Sequence, residues 1–80
     1  MAKVKVFGAD WCPMTQRTRD HLQDLRMEYE YVNVERDWQA LEWVKTQNEG
    51  KVKKPTLLVD DKVLRTPTNE ELDAALARAA

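Results

Sequence analysis

The stretch Asp10-Trp11-Cys12-Pro13-Met14-Thr15 holds the single cysteine of the chain. The cysteine anion is the form that attacks disulfides. Pro13 suits the first turn of a helix, because its missing N–H would lack a partner there anyway. Cys12 therefore sits where a loop enters a helix. At such a junction the backbone N–H groups of Met14 and Thr15 have no partner inside the helix. The helix dipole favours negative charge at the same end. Both effects stabilise a thiolate, so Cys12 is expected to titrate below the value of about 8.5 for a free cysteine. Thr15 can add a hydroxyl donor. Asp10 works in the opposite direction, since a carboxylate two residues away disfavours a second negative charge. No Lys or Arg in the preceding strand end or loop offsets it. The plain alternative is a buried, inert cysteine that packs as a small hydrophobe. A loop before a helix, where a thiol is exposed, argues against it.

One cysteine cannot close an internal disulfide, so the chain is not a disulfide-stapled secreted fold. Cys12 and His21 are too few ligands for a structural zinc, and no metal is expected. His21 lies two turns along the helix, too far to serve Cys12 as a base, and reads as a surface or boundary residue. The run Gly50-Lys51-Val52-Lys53-Lys54-Pro55 is a basic loop. Lys51 and Lys53 are either solvated charges or contacts for an anionic ligand.

The elements that must position these residues follow closely on one another. Residues 3–7 alternate Lys and Val and read as a strand, with 8–11 as a loop. A helix follows over about 13–27, with Leu22 and Leu25 inward and Arg17, Arg19, Asp20, Gln23 and Asp24 outward. Residues 29–34 are β-branched and aromatic, hence a second strand. Asp37 caps a second helix to about Asn48, with Ala40, Leu41, Trp43 and Val44 as its apolar side and Gly50 ending it. Trp38 and Trp43 are expected in the core or at its boundary, whereas Trp11 and Met14 are expected at the surface. The apolar run 55–59 reads as a central strand, Asp60-Asp61 as a hairpin turn and 62–65 as the return strand. Thr68 and Glu71 form a capping box ahead of a helix from 69 to the C-terminus.

The order β-α-β-α-β-β-α predicts an α/β fold. The first two strands are parallel, through a right-handed crossover. The hairpin adds an antiparallel edge, and helices cover both faces of a four-stranded mixed sheet. A cysteine at the first strand-to-helix junction of this pattern is what a thioredoxin fold requires.

Eighty residues make one small domain, read here as 1–80. A net charge of −1 offers no global attraction to nucleic acid or an anionic membrane. No apolar run approaches the roughly 20 residues of a membrane span, and the N-terminus lacks a signal-peptide core. A cytoplasmic monomer is the expectation.

Three motifs in order resemble the glutaredoxins, and among them the small bacterial mycoredoxin-like proteins. They are Trp11-Cys12-Pro13-Met14-Thr15, then Lys54-Pro55-Thr56-Leu57-Leu58-Val59, then Arg65-Thr66-Pro67-Thr68-Asn69-Glu70-Glu71-Leu72. The resemblance covers nearly the whole chain. It implies that Cys12 is the nucleophile, flanked by Trp11, Pro13 and Met14, and that Pro55 is a cis-proline beside the thiol. It also implies that Lys54 presents its backbone to a substrate, and that Thr66, Pro67, Thr68 and Asn69 form the loop that holds the γ-glutamyl end of glutathione. Thr15 stands where a resolving cysteine is usual, and Ala9 where many members carry a lysine.

The implied activity is monothiol exchange, reducing mixed disulfides between proteins and a low-molecular-weight thiol. Glutathione or another small thiol is then the co-substrate, disulfide-bearing proteins are the partners, and no resident cofactor is required. Two alternatives follow from the same residues. One is a dimer carrying a [2Fe–2S] cluster on Cys12 and two glutathione thiolates. The other is a peptide-binding module that uses the surface of Trp11, Met14 and Pro55 without turnover.

Overall fold

The computed structural model describes residues 3–79; Met1, Ala2 and Ala80 lie outside the described residues, and with them the last residue of the expected final helix. Seven elements run in the expected order: β1 (Val4–Gly8), α1 (Pro13–Asp24), β2 (Glu30–Asn33), α2 (Trp38–Gln47), β3 (Thr56–Val59), β4 (Lys62–Arg65) and α3 (Asn69–Ala79). The sheet order is β2-β1-β3-β4. β1 and β2 are parallel, with Val6 opposite Tyr31. β1 and β3 are antiparallel, with Val6 opposite Leu57, and β3 and β4 close the antiparallel hairpin. This is the thioredoxin-like α/β fold.

Alternation along the central strands divides the core in two. Val4, Val6, Leu57 and Val59 pack with Leu22 of α1 and with Leu72 and Leu76 of α3. Phe7 and Val34 pack with Ala40 and Val44 of α2 on the opposite face, where Trp43 lies against Phe7 at 4.6 Å between ring centroids. Burying a Leu such as Leu22 or Leu57 contributes enough that truncation to Ala costs about 2–5 kcal/mol.

Two apolar residues depart from the expected core. α1 stops at Asp24, so Leu25 is its C-cap and is exposed. Arg26 turns the chain at φ 55°, its N–H donates to the Gln23 carbonyl, and the Met27 N–H donates to that of Leu22. These are the paired bonds of a Schellman ending, made without the usual glycine. Met27 rather than Leu25 returns to the core. Trp38 is 72% exposed. Ala40 and Val44 set the buried stripe of α2, and at 100° per residue Trp38 falls on the opposite side. Arg19, expected outward, is half-buried, its guanidinium stacked 3.9 Å over the Tyr31 ring.

Candidate thiol site

β1 ends at Gly8, and the loop to α1 is short and tethered at both ends. The Cys12 N–H donates to the Ala9 carbonyl, the Gln16 N–H to the Cys12 carbonyl, and the Gln16 side chain to the Asp10 carbonyl. Cys12 is thereby the N-cap of α1, with Pro13 opening the helix. On the far side of the sulfur the Lys54–Pro55 peptide bond is cis. The Cys12 Sγ faces the Lys54 carbonyl at 3.9 Å. Pro55 is fully buried, so it walls the thiol and adds nothing to the exposed surface expected of it with Trp11 and Met14.

The thiol is also less open than its loop position predicts. Cys12 is only 9% exposed, enclosed between the helix start and the cis-proline segment. It is nevertheless held below the ordinary cysteine range. Burial pushes it up, but the Thr15 hydroxyl, the N–H groups of Thr15 and Met14 and the charge of Lys54 together outweigh burial. The neutral thiol makes no capping hydrogen bond. The same donors are aimed at the sulfur and gain strength only when it carries charge.

Thr15 is fully buried, and its Oγ1 also accepts a long bond, 3.4 Å, from the Ala9 N–H. It lies directly against Gly8, where a Cβ would come within 2.4 Å of that oxygen. Gly8 is therefore required by close approach, and it ends a strand instead of beginning a loop.

Asp10 does not sit free beside the sulfur as its spacing suggests. Its Oδ1 accepts a 2.7 Å bond from the Tyr31 hydroxyl, whose ring lies under Arg19. The loop itself holds no cation, as expected, but Lys54 supplies a positive charge from a segment 42 residues along. Lys51 and Lys53 are exposed and line a separate hollow with Asn48 and Arg65. That loop is fastened by buried Asn48, whose Nδ2 donates to the Val44 carbonyl and to Thr56 Oγ1, which in turn donates to the Lys53 carbonyl. Asn48 was not singled out from the sequence, where a polar residue between a helix and a glycine carries no signal.

An open cavity of about 320 Å³ lies between α1 and the start of α3, lined by Met14, Arg17, Thr18, Thr66, Pro67, Thr68, Asn69 and Glu70. The loop residues the resemblance singled out thus meet Met14 across one hollow. Arg17, read as an outward charge, lies in its wall; its spacing of three from Met14 was the available signal. The Thr66 N–H donates to the Pro55 carbonyl, tying this loop to the cis-proline. The Thr68 hydroxyl is committed to the capping box, accepting from the Glu71 N–H at 3.1 Å while Glu71 Oε1 accepts from the Thr68 N–H at 2.9 Å. His21 bonds Asp73 at 2.7 Å and joins α1 to α3, away from the sulfur.

The exposed Trp11, at 65%, donates its indole N–H to Glu35 at 2.8 Å. Glu35 was missed because a lone carboxylate after a strand has no pattern. Among the described residues no three His, Cys, Asp or Glu side chains are grouped to hold a metal ion, and no helix is long and apolar enough to cross a membrane.

The arrangement supports sulfur chemistry at Cys12. Mycoredoxin 1 of Corynebacterium glutamicum is 34% identical over 61 residues, 76% of this chain and 75% of that protein. A glutaredoxin from Archaeoglobus fulgidus superposes with a TM-score of 0.80 at 23% identity, covering 95% of this chain and 87% of that one. The glutaredoxin-like NrdH-redoxin of Escherichia coli does so at 0.80 and 17%, covering 90% and 92%. These two structures share the fold. The glutaredoxin family profile matches residues 4–64, from the first residue of β1 through most of β4, and takes in both Cys12 and Pro55. With the identity to mycoredoxin over most of the chain, this places the protein in the glutaredoxin family.

Proposed function

We propose that this chain is a monothiol oxidoreductase that reduces mixed disulfides between proteins and a low-molecular-weight thiol. The observation that carries the reading is the setting of the one cysteine. Cys12 caps α1 with its donors unspent, its sulfur facing the Lys54 carbonyl of the cis-proline segment, and Met14, two residues on, lines a cavity with the loop before α3.

The Cys12 thiolate attacks the small-thiol sulfur of a protein–S–S–R disulfide. A Cys12–S–S–R bond forms, and the protein thiolate leaves and takes a proton from solvent. A second R–S⁻ attacks the R sulfur, giving R–S–S–R and restoring the Cys12 thiolate. One free small thiol is consumed for each mixed disulfide reduced, the R–S group taken from the protein leaves in R–S–S–R, and no second protein cysteine is needed. Thr15, the α1 N–H groups and Lys54 favour Cys12 as both attacking and leaving thiolate. Glutathione is the first co-substrate to test, with Thr66 to Asn69 and Arg17 around its carboxylate-bearing end. The reaction belongs to a reducing compartment such as the cytoplasm, and a monomer suffices for it.

The test is turnover of a protein–glutathione mixed disulfide with glutathione as reductant. Wild type is expected to turn over, and Cys12→Ser to fall to the uncatalysed rate. Turnover that survives the substitution, or none in wild type with any small thiol, rejects the reading. Alkylation of Cys12 against pH should have its midpoint below that of the same thiol in urea.

A further inference from the structure

Glu35, in the loop between β2 and α2, holds two other segments with one oxygen. Its Oε2 accepts 2.8 Å from the Trp11 indole and lies 3.6 Å from Lys54 Nζ. Lys54 Nζ in turn sits 4.8 Å over the Trp11 ring. The indole, the ammonium and the carboxylate thus close on one another at the lip of the thiol site, because Trp11 precedes Cys12 and the Lys54 carbonyl faces its sulfur. The ammonium is well covered, its side chain 19% exposed, whereas that of Glu35 is 45% exposed. A 3.6 Å pair is longer than a full hydrogen bond, and its carboxylate side is open to water, where competing anions and screening weaken it. A carboxylate from solution can therefore replace Glu35 on Lys54 at little cost. Asp10 is bonded to Tyr31 and Asp37 to the α2 cap.

We propose that Glu35 is a specificity-determining residue that competes with anionic substrates for Lys54. Its carboxylate occupies the ammonium in the free protein, so an anionic thiol or disulfide must displace it, while a neutral one reaches the sulfur without doing so. The inference rests on the exchange reading above, but its test does not require turnover.

Cys12 is the only cysteine, so its alkylation reads the site alone. The measurement is the rate ratio of iodoacetate, an anion, to iodoacetamide, which is neutral. The ratio cancels changes in the thiol's own acidity. Glu35→Gln keeps an acceptor for the indole and removes the charge. It is expected to raise the ratio about threefold at low salt. The gain should vanish at about 1 M salt, and should be largely lost when Glu35→Gln is made in a Lys54→Gln background. A ratio unchanged by Glu35→Gln overturns the proposal. So does a gain that survives high salt, or one undiminished without Lys54. Failure of the turnover assay would reject the exchange reading alone, because the alkylation ratio stands by itself.

Discussion

The N-termini of α1 and α3 flank the same cavity and carry the same unsatisfied backbone donors, but the chain treats them differently. α3 is closed by its own side chains: Thr68 and Glu71 exchange bonds, and Glu70 and Glu71 put carboxylates in the first turn. α1 has no acidic residue in its first turn and is capped by a thiol that makes no capping bond. At α3 the donors and the dipole are used at all times to hold the helix. At α1 they are left for a charge that exists only when Cys12 ionises. A capping box commonly contributes about 1 kcal/mol. Its absence at α1 is stability given up for a reactive sulfur, and the Oγ1 of buried Thr15 accepts from the Ala9 N–H of the loop, not from the helix's own first donors.

The most damaging way to break this contrast is Gly8→Ala. The added methyl would meet Thr15 Oγ1 at 2.4 Å, against a helix and a central strand that cannot both yield. Overpacking of this kind costs about 2–3 kcal/mol, or roughly 10 °C or more in melting temperature for a domain of this size. It also moves the hydroxyl that favours the thiolate, so Cys12 alkylation at neutral pH slows together with the loss of stability. A melting temperature within a degree or two of wild type would show that Thr15 is not pinned there. The smaller counterpart is Glu71→Ala, which removes half of the α3 box. Thermal melts should show a cost of about 0.5–1 kcal/mol, while the pH profile of Cys12 alkylation stays in place. If the profile moved, the two termini would be coupled and the contrast would fail.

The same division marks what could be read from sequence. Local physics was legible wherever a residue acts on its neighbours in the chain. Asp37 and the Thr68–Glu71 box cap the expected helices, Cys12 stands at a helix start, and the strands fall where β-branched runs place them. The partners that complete the site come from far along the chain, and no spacing announces them. Lys54 reaches Cys12 across 42 residues, Glu35 reaches Trp11 across 24, and Asp73 reaches His21 across 52. The cis bond at Pro55 was legible only through the family resemblance. The end of α1 was misjudged because Arg26 takes a positive φ where a glycine would have been the cue, whereas α2 ends where Asn48 and Gly50 place it. The inward face of α1 was understated because Thr15 and Thr18, polar by type, are buried there with Leu22.

The smallest effect concerns Asp10, whose carboxylate would oppose the thiolate if it were free. Tyr31 holds it, and the phenol records that. Burial, then the bond to Asp10 and its charge, push the Tyr31 hydroxyl from about 10 up to about 12. An acid whose folded value is raised stabilises the fold fully below its unfolded value, near 10. It loses that contribution as pH rises from there through about 12. Urea unfolding of wild type and Tyr31→Phe should therefore differ by a constant amount from pH 7 to about 9.5, and converge above pH 10. Every group common to both proteins cancels in the difference. A difference that stays constant through pH 12 would mean that the bond to Asp10 does not bias the phenol. In the same variant Asp10 is released at neutral pH, so the alkylation midpoint of Cys12 should move slightly upward. A midpoint that stays in place or moves down would mean that Asp10 does not oppose the thiolate, and that Thr15, the α1 N–H groups and Lys54 set how readily Cys12 ionises.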